Sequence, residues 1–227
     1  METPTVACIM PVYNYARYLD EALKSVFSQT EVPDEVIVVD DCSTDNPKEI
    51  CDKYPVRYIR HKINKGLAAS RNTGIKASKC TYCFSFDADD ILRPDAVKEH
   101  MKVAQKNTVV TGGLVAFGME NYTARPETAT LDILRQRNCI YSNSLFSKEL
   151  WAKVGGFDES ETMRLGLEDW LFFTECAANG AKFITVDYVA LLWRRHNLSM
   201  SSTSANPNWE KITGYMKSKI SSKYRLH

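Results

Sequence analysis

The sequence predicts an α/β fold, a single mixed and mostly parallel sheet flanked by helices. Three observations predict it. Val36-Ile37-Val38-Val39 and Tyr82-Cys83-Phe84-Ser85-Phe86 are continuous β-branched or aromatic runs, the pattern of strands buried on both faces. Between such runs, residues such as Leu19, Ala22, Leu23, Val26 and Phe27 recur at the spacing of one helix face. Finally, strand and helix signals alternate through the first half, as a parallel sheet with crossover helices requires.

Taken in order, Val6 to Met10 reads as a strand ending at Pro11 and a polar turn, and the Leu19–Phe27 stripe as the first helix. Pro33 and Asp34 punctuate before the strand Val36–Val39. Asp45-Asn46-Pro47 starts a helix reaching about Lys53, with proline in its first turn. Val56 to Ile59 is a short strand, and Gly66 to Lys76 a helix carrying Arg71 and Asn72. Thr81 to Phe86 follows as a strand, and Pro94 opens a helix with Ala96, Val97, His100, Met101 and Ala104 along one stripe.

The second half is less regular. Val109 to Phe117 reads as a strand bent or bulged at Gly112-Gly113. Short helices are expected at Leu131–Arg135 and Lys148–Val154, a longer one at Glu168–Ala178, and strands at Tyr141–Phe146 and Lys182–Val186. The tail from Ser199 is rich in Ser and Asn and then basic (Lys217, Lys219, Lys223, Arg225). It is expected to be mobile or docked on something else.

Composition narrows the classes. The 227 residues suit one sizeable domain, and 29 Lys+Arg against 28 Asp+Glu, without a polybasic block, argue against nucleic acid as the partner. Seven cysteines, several in apolar segments, fit buried thiols in a reducing compartment. Cys80 and Cys83 form a lone C-x-x-C with no second pair to complete a zinc site. No apolar stretch approaches the roughly 20 residues of a membrane-spanning helix, and the N-terminus lacks the pattern of a secretion signal. These features place the chain in the cytoplasm, with peripheral contact at a membrane left open.

Four constellations carry chemistry. Asp40-Asp41 and Asp87-Ala88-Asp89-Asp90 each follow an apolar strand, where open α/β sheets bind ligands. Carboxylates clustered there repel one another unless a cation or donor neutralises them, and hard cations such as Mg²⁺ or Mn²⁺ take such oxygens together with diphosphate oxygens. An Asp-rich turn capping the helix at Pro94 is the plain alternative. Pro11-Val12-Tyr13-Asn14 ends the first strand, where an aromatic ring can stack on a base and an aspartate can accept a ring N–H; ordinary packing and an N-cap are the alternatives. Glu168-Asp169 opens a helix, whose field stabilises a carboxylate anion and keeps it available as a base, or is merely complemented by it. Trp193-Arg194-Arg195-His196 offers an imidazole for a metal and guanidiniums for phosphate.

These segments, in this order, resemble family 2 of the nucleotide-sugar glycosyltransferases, with its GT-A fold. The marks are Pro11-Val12-Tyr13-Asn14, Val39 to Asp45, Asn64 to Asn72, Asp87-Ala88-Asp89-Asp90, Gly155-Gly156-Phe157-Asp158 and Glu168-Asp169, and they span Thr5 to Ser201. The resemblance implies a single Rossmann-like catalytic domain over residues 1–201. Its nucleotide-binding half would run to about 105 and its acceptor and catalytic half from 106 to 201, with 202–227 as a basic polar tail.

The resemblance also implies roles. Pro11, Tyr13, Asn14 and Asp41 would line the base pocket, with Asp41 accepting the uracil N–H and Arg71 near the nucleotide. Asp87 would approach the ribose and Asp89 would hold Mn²⁺ or Mg²⁺, with His196 near the metal or diphosphate. Asp169 would be the catalytic base and Glu168 would help position the acceptor. The implied reaction moves one sugar, with inversion, from a nucleotide sugar (a UDP-sugar favoured, since Asp41 suits uracil) to a glycan or glycoconjugate hydroxyl. The Gln-x-x-Arg-Trp element of processive synthases is absent, which favours single transfer over polymerisation. Acceptor recognition falls to the segment from about Gly118 to Asn143, the tail, or a partner chain.

Rival readings are a catalytically silent sugar-nucleotide or glycan-binding module, and an aspartyl-phosphate phosphatase imitated by Asp87-x-Asp89-x-Ile91. No Gly-x-Gly-x-x-Gly or phosphate-binding loop follows any strand, which disfavours a dinucleotide dehydrogenase.

Overall fold

The computed structural model describes residues 3–224. Strands Val6–Val12 (β1), Glu35–Asp40 (β2), Arg57–Arg60 (β3) and Tyr82–Ser85 (β4) are joined by helices Ala16–Phe27 (α1), Lys48–Cys51 (α2) and Leu67–Ala77 (α3). Ile91–Leu92 (β5), Ala96–Met101 (α4), Thr108–Gly118 (β6), Tyr122–Ala124 (β7), Leu131–Leu134 (α5), Leu145–Ser147 (β8) and Lys148–Val154 (α6) follow. Glu168–Ala178 (α7), Lys182–Arg195 (β9) and Trp209–Lys223 (α8) complete the chain. The sheet runs β3-β2-β1-β4-β8-β6-β9-β5, with β7 added beside β6. From β3 to β4 every pairing is parallel, and antiparallel β8 leads into the mixed half.

Alternation along β1 explains the layers. Ala7 and Ile9 pack with α3, α6 and α7 on one face, whereas Val6, Cys8, Met10 and Val12 pack with α1 and α4 on the other. Both sets are buried, so the strand reads as a continuous apolar run. Helix α3 lies close on the sheet because Gly74 has no side chain; a Cβ there would sit 2.6 Å from Cγ2 of Ile9. The order in which strands are added to the sheet switches sides at β1, from β2 and β3 on one flank to β4 on the other, so the loops after β1, β2 and β4 open into one crevice at the carboxyl edge.

The Gly112-Gly113 break is a bulge, seen as register shifts between β6 and β9 at Thr111, Gly113 and Leu114. Three elements differ from the expectation. The strand expected at Lys182–Val186 continues to Arg195, because exposed Asp187 is accommodated opposite the bulge and an apolar run resumes after it. The strand expected at Tyr141–Phe146 is confined to Leu145–Ser147, since Ser142, Asn143 and Ser144 use their polar groups in a turn against the loop after β4.

The basic tail is largely helix α8, which buries Ile212, Met216 and Ile220 against the α7 layer. Two of its cations are paired there: Lys219 donates to Asp158 at 2.5 Å and Lys223 to Glu175 at 3.0 Å. Arg225 lies outside the described residues. Among the described residues no helix is long and apolar enough to cross a membrane.

Candidate active site

The two aspartates after β2 have separate jobs. Asp40 is fully buried and accepts from Ser43 N at 2.8 Å, Tyr58 Oη at 2.5 Å and Arg60 Nη1 at 2.7 Å. It fastens the turn. Asp41 points the other way, into the crevice. Its Oδ1 accepts from Lys65 N at 2.8 Å and meets His61 Nδ1 at 2.7 Å, while Oδ2 accepts from Gly66 N at 2.7 Å. A carboxylate has about four lone-pair sites, so one acceptor direction on Oδ2 remains unassigned. Gly66 makes this approach with φ of +94°, a conformation suited to glycine. Pro11, Tyr13 and Asn14 line the same crevice, with Tyr13 47 % exposed. The Asn14 side chain anchors the neighbouring turn, accepting from Thr44 N at 2.8 Å.

At the crevice centre Arg71, 1 % exposed, ties two chain segments together. Its guanidinium donates to Asp87 Oδ1 at 2.7 Å and to Ser85 Oγ at 3.1 Å, and forms an ion pair with Glu168. Burial alone would lower the Arg71 pKa, but Asp87, Glu168 and Asp169 outweigh it, so the guanidinium stays charged. Glu168 therefore faces Arg71 inside the protein, not open solvent. Asp169 behaves differently: burial first, then the neighbouring Glu168 charge, push its pKa up to about 7. Arg71 and the Trp170 N–H, at 2.7 Å, pull the other way without prevailing. The field at the start of α7 was expected to keep this anion easy to form; desolvation dominates instead.

Asp87 also accepts from Ser142 Oγ at 2.7 Å, which occupies its second oxygen. Asp89 Oδ2 lies 3.0 Å from His196 Nε2. Asp90 is buried, receives Arg194 N at 2.9 Å and Asn143 Nδ2 at 3.1 Å, and has its pKa raised by desolvation and by Asp89 and Asp87. Arg194 departs from the phosphate role expected of it. It donates to the Asp89 carbonyl, pairs with Glu21 and lies between the Tyr18 and Phe117 rings.

Pro11, Tyr13, Asn14, Asp41, Arg71, Asp87, Asp89, Glu168 and Asp169 line one cavity of about 730 Å³. His196 reaches it through Asp89. Reading the sequence did not single out Arg164, which lines the cavity and donates to Asn64 O at 3.1 Å. It also did not single out Leu167, whose φ of 63° places a bulky residue in a strained conformation just ahead of the Glu168-Asp169 pair. Neither carries a sequence signal: Arg164 sits in a single 3-10 turn, Met163–Leu165, too short to leave a periodic pattern, and only the backbone reveals Leu167. Five carboxylates (Asp41, Asp87, Asp89, Glu168, Asp169) face two guanidiniums (Arg71, Arg164) in this cavity.

Parallel strands feeding an acid-lined crevice, followed by a mixed half that closes it, define the GT-A arrangement. Residues 7–171 match the profile of glycosyl transferase family 2, and the chain belongs to that family. Glycosyltransferase GlyG of Streptococcus pneumoniae is 36% identical over 114 residues, covering 48% of this chain and 38% of that protein. Chondroitin synthase of Pasteurella multocida is 30% identical over 172 residues, covering 69% of this chain and 17% of that protein. The chain thus spans less than half the length of either relative.

Among solved structures, S. aureus TarS 1-349 in complex with UDP-GlcNAc superposes with a TM-score of 0.80 at 22% identity, covering 98% of this chain and 68% of that one. Mannosyltransferase PcManGT from Pyrobaculum calidifontis, in complex with GDP-Man and Mn2+, gives 0.64 at 21% identity, covering 84% and 57%. At these identities the likeness is one of fold.

Proposed function

We propose that the chain is an inverting glycosyltransferase that moves one sugar from a nucleotide sugar to a hydroxyl of a glycan or glycoconjugate. The observation that carries this reading is Asp169, a carboxylate with its pKa near 7, in one cavity with Asp41, Asp87 and Asp89. An acceptor hydroxyl loses its proton as the new bond forms, and a base with a pKa near ambient pH is matched to that task. Asp169 takes the proton. Single displacement fits the surroundings, because Asp87 is tied to Arg71 and Ser142 rather than left free to attack.

Asp41, through the open direction on Oδ2, accepts a ring N–H of the base, and Tyr13 stacks on it. Uracil suits this pocket, and the UDP-GlcNAc bound by TarS agrees with a UDP-sugar. The GDP-Man complex of PcManGT keeps guanine in the comparison. Arg71 holds Asp87 toward the ribose, and Glu168, which lines the same cavity and is ion-paired with Arg71, raises the Asp169 pKa and helps position the acceptor beside it. Arg164 adds positive charge at the nucleotide end.

A divalent cation fits the residues present. Asp89 Oδ2 and His196 Nε2 share a hydrogen bond of 3.0 Å. That separation is also about that of adjacent ligands around an octahedral cation with bonds of about 2.1 Å, so the pair would supply two ligands in its place. Excess negative charge in the crevice also opposes a diphosphate unless a cation accompanies it. Asp89 and His196 would hold Mn²⁺ or Mg²⁺, with diphosphate oxygens and water completing the shell. When bound, the cation neutralises charge on the departing diphosphate.

Asp169→Asn tests the assignment. Transfer should fall by about 10²–10⁴-fold while donor affinity stays nearly intact. Turnover within a few-fold of the parent would remove Asp169 from the role of base.

A further inference from the structure

One wall of the cavity carries none of the residues given a role toward the donor or as base. It is built from Trp193 and Leu191 of β9, Leu114 of β6, and Ile140 and Tyr141 ahead of β8. The same wall carries amide and hydroxyl groups from Asn138, Ser142 and Asn143. It is joined rigidly to the carboxylates: Ser142 Oγ donates to Asp87 at 2.7 Å, and Asn143 Oδ1 accepts from Asp87 N at 3.2 Å.

Trp193 is unusually well held for a cavity-lining aromatic. The Arg195 guanidinium lies 4.2 Å from its ring centroid, and Tyr122 meets it edge-on at 6.5 Å. Glu120 pairs with Arg195 at 3.1 Å, so the turn between β6 and β7 braces the indole. Gly118 permits this brace, since a Cβ there would lie 2.7 Å from the Arg195 carbonyl oxygen. Arg195 Nη1 is buried without a hydrogen-bond partner among the described residues. Leaving such a donor unsatisfied is costly, and the cost is tolerated at a place where it keeps a cation against the indole.

We propose that this wall is the acceptor subsite and that it takes a pyranose ring packed against Trp193, which makes the acceptor a saccharide. The proposal rests on the glycosyltransferase reading of the same cavity. A pyranose presents weakly electropositive C–H groups on its faces and hydroxyls around its rim. The indole face carries the negative lobe of the ring quadrupole and suits the former; Asn138 and Ser142 suit the latter. Asn143 is taken up by Asp87 and Asp90, but the Asn138 amide N–H groups and the lone pairs of Ser142 Oγ, whose proton goes to Asp87, are left for a ligand, and a purely apolar chain would not use them. Because the indole is already immobilised, binding loses little side-chain entropy, which favours Trp193 as the anchor of the subsite.

The test is ligand-observed saturation-transfer NMR on the full chain with UDP and diamagnetic Mg²⁺ present. The probes are methyl glycosides of glucose, galactose, mannose and N-acetylglucosamine, with farnesyl phosphate as the lipid arm. At least one pyranoside should receive saturation at its ring C–H protons. Trp193→Ala should weaken that binding by about tenfold or more, whereas Trp193→Phe keeps it within about threefold. UDP affinity should change by less than about threefold in both variants, which also reports that they are folded. Tyr141→Ala serves as a second probe of the wall should Trp193→Ala fail to fold, and should weaken the same pyranoside.

Pyranoside binding indifferent to these substitutions overturns the proposal. So does saturation confined to farnesyl phosphate, or no pyranoside bound at all. Failure of the parent chain to bind any nucleotide would instead strike the donor reading, so the two failures are separable.

Discussion

Glu168 and Asp169 are consecutive residues whose carboxylates lie in opposite electrostatic settings: Glu168 is ion-paired with buried Arg71, while Asp169 lines the cavity with its pKa raised to about 7. One turn of backbone at Leu167, with φ of 63°, starts the helix that separates them. The arrangement lets one charge raise the proton affinity of its neighbour while being neutralised itself.

It follows that kcat/KM should depend on pH through Asp169. As the proposed base, Asp169 would work only when deprotonated, so the rate should rise about tenfold per pH unit below the midpoint near 7 and level off above it. Glu168→Gln removes a like charge that raises the Asp169 pKa, so the midpoint should move to lower pH. A pH–rate profile measured on both proteins checks this. An unchanged midpoint would remove Glu168 as a source of the shift.

Cys42 occupies φ of 69°, a left-handed conformation that disfavours a side chain. Its thiol makes one long contact with the Lys62 carbonyl, at 3.6 Å. Cys42→Gly should therefore stabilise the fold by about 0.5–1 kcal/mol. Urea unfolding monitored by circular dichroism should show a higher midpoint with the same slope; a lower midpoint would mean that the thiol contact outweighs the backbone strain.

His100 gives the fold an acid limit. Burial lowers its pKa from 6.5 to about 4. Between those values the unfolded chain binds a proton that the folded chain refuses, so this contribution to stability is full above pH 6.5 and falls by up to about 1.4 kcal/mol per pH unit down toward 4. Replacing His100 with Phe, next to Phe84 at a centroid distance of 5.0 Å, should flatten the dependence of thermal midpoint on pH in that window. An unaltered slope would assign the acid sensitivity elsewhere.

Much of the first half of the chain is legible because strong local signals and tertiary structure agree there. Apolar runs ending in Asp40-Asp41 and Asp87-Ala88-Asp89 give strands that stop at the crevice. The face of α1 buries Leu19, Ala22, Leu23 and Val26, as its spacing indicates. Helix α8 was not legible, because Ser, Thr, Lys and Gly214 surround Ile212, Met216 and Ile220, and Lys219 and Lys223 find partners only across the fold, on Asp158 and Glu175. At the site, sequence presents carboxylates but not their partners. That Asp40 is sequestered by Tyr58 and Arg60, or Glu168 by Arg71, depends on contacts 18 to 97 residues away.

The most direct test of the central claim is a thermal-shift titration of the chain with UDP-, GDP- and TDP-sugars, with and without Mn²⁺, repeated on Asp89→Ala. A cation-accompanied nucleotide sugar that binds the folded state should raise the melting temperature, since ligand at 100 times its Kd adds about 2.7 kcal/mol. The account predicts a rise for one donor class that requires Mn²⁺ and is lost in Asp89→Ala. No rise with any sugar nucleotide, or an equal rise in Asp89→Ala with and without Mn²⁺, would contradict it.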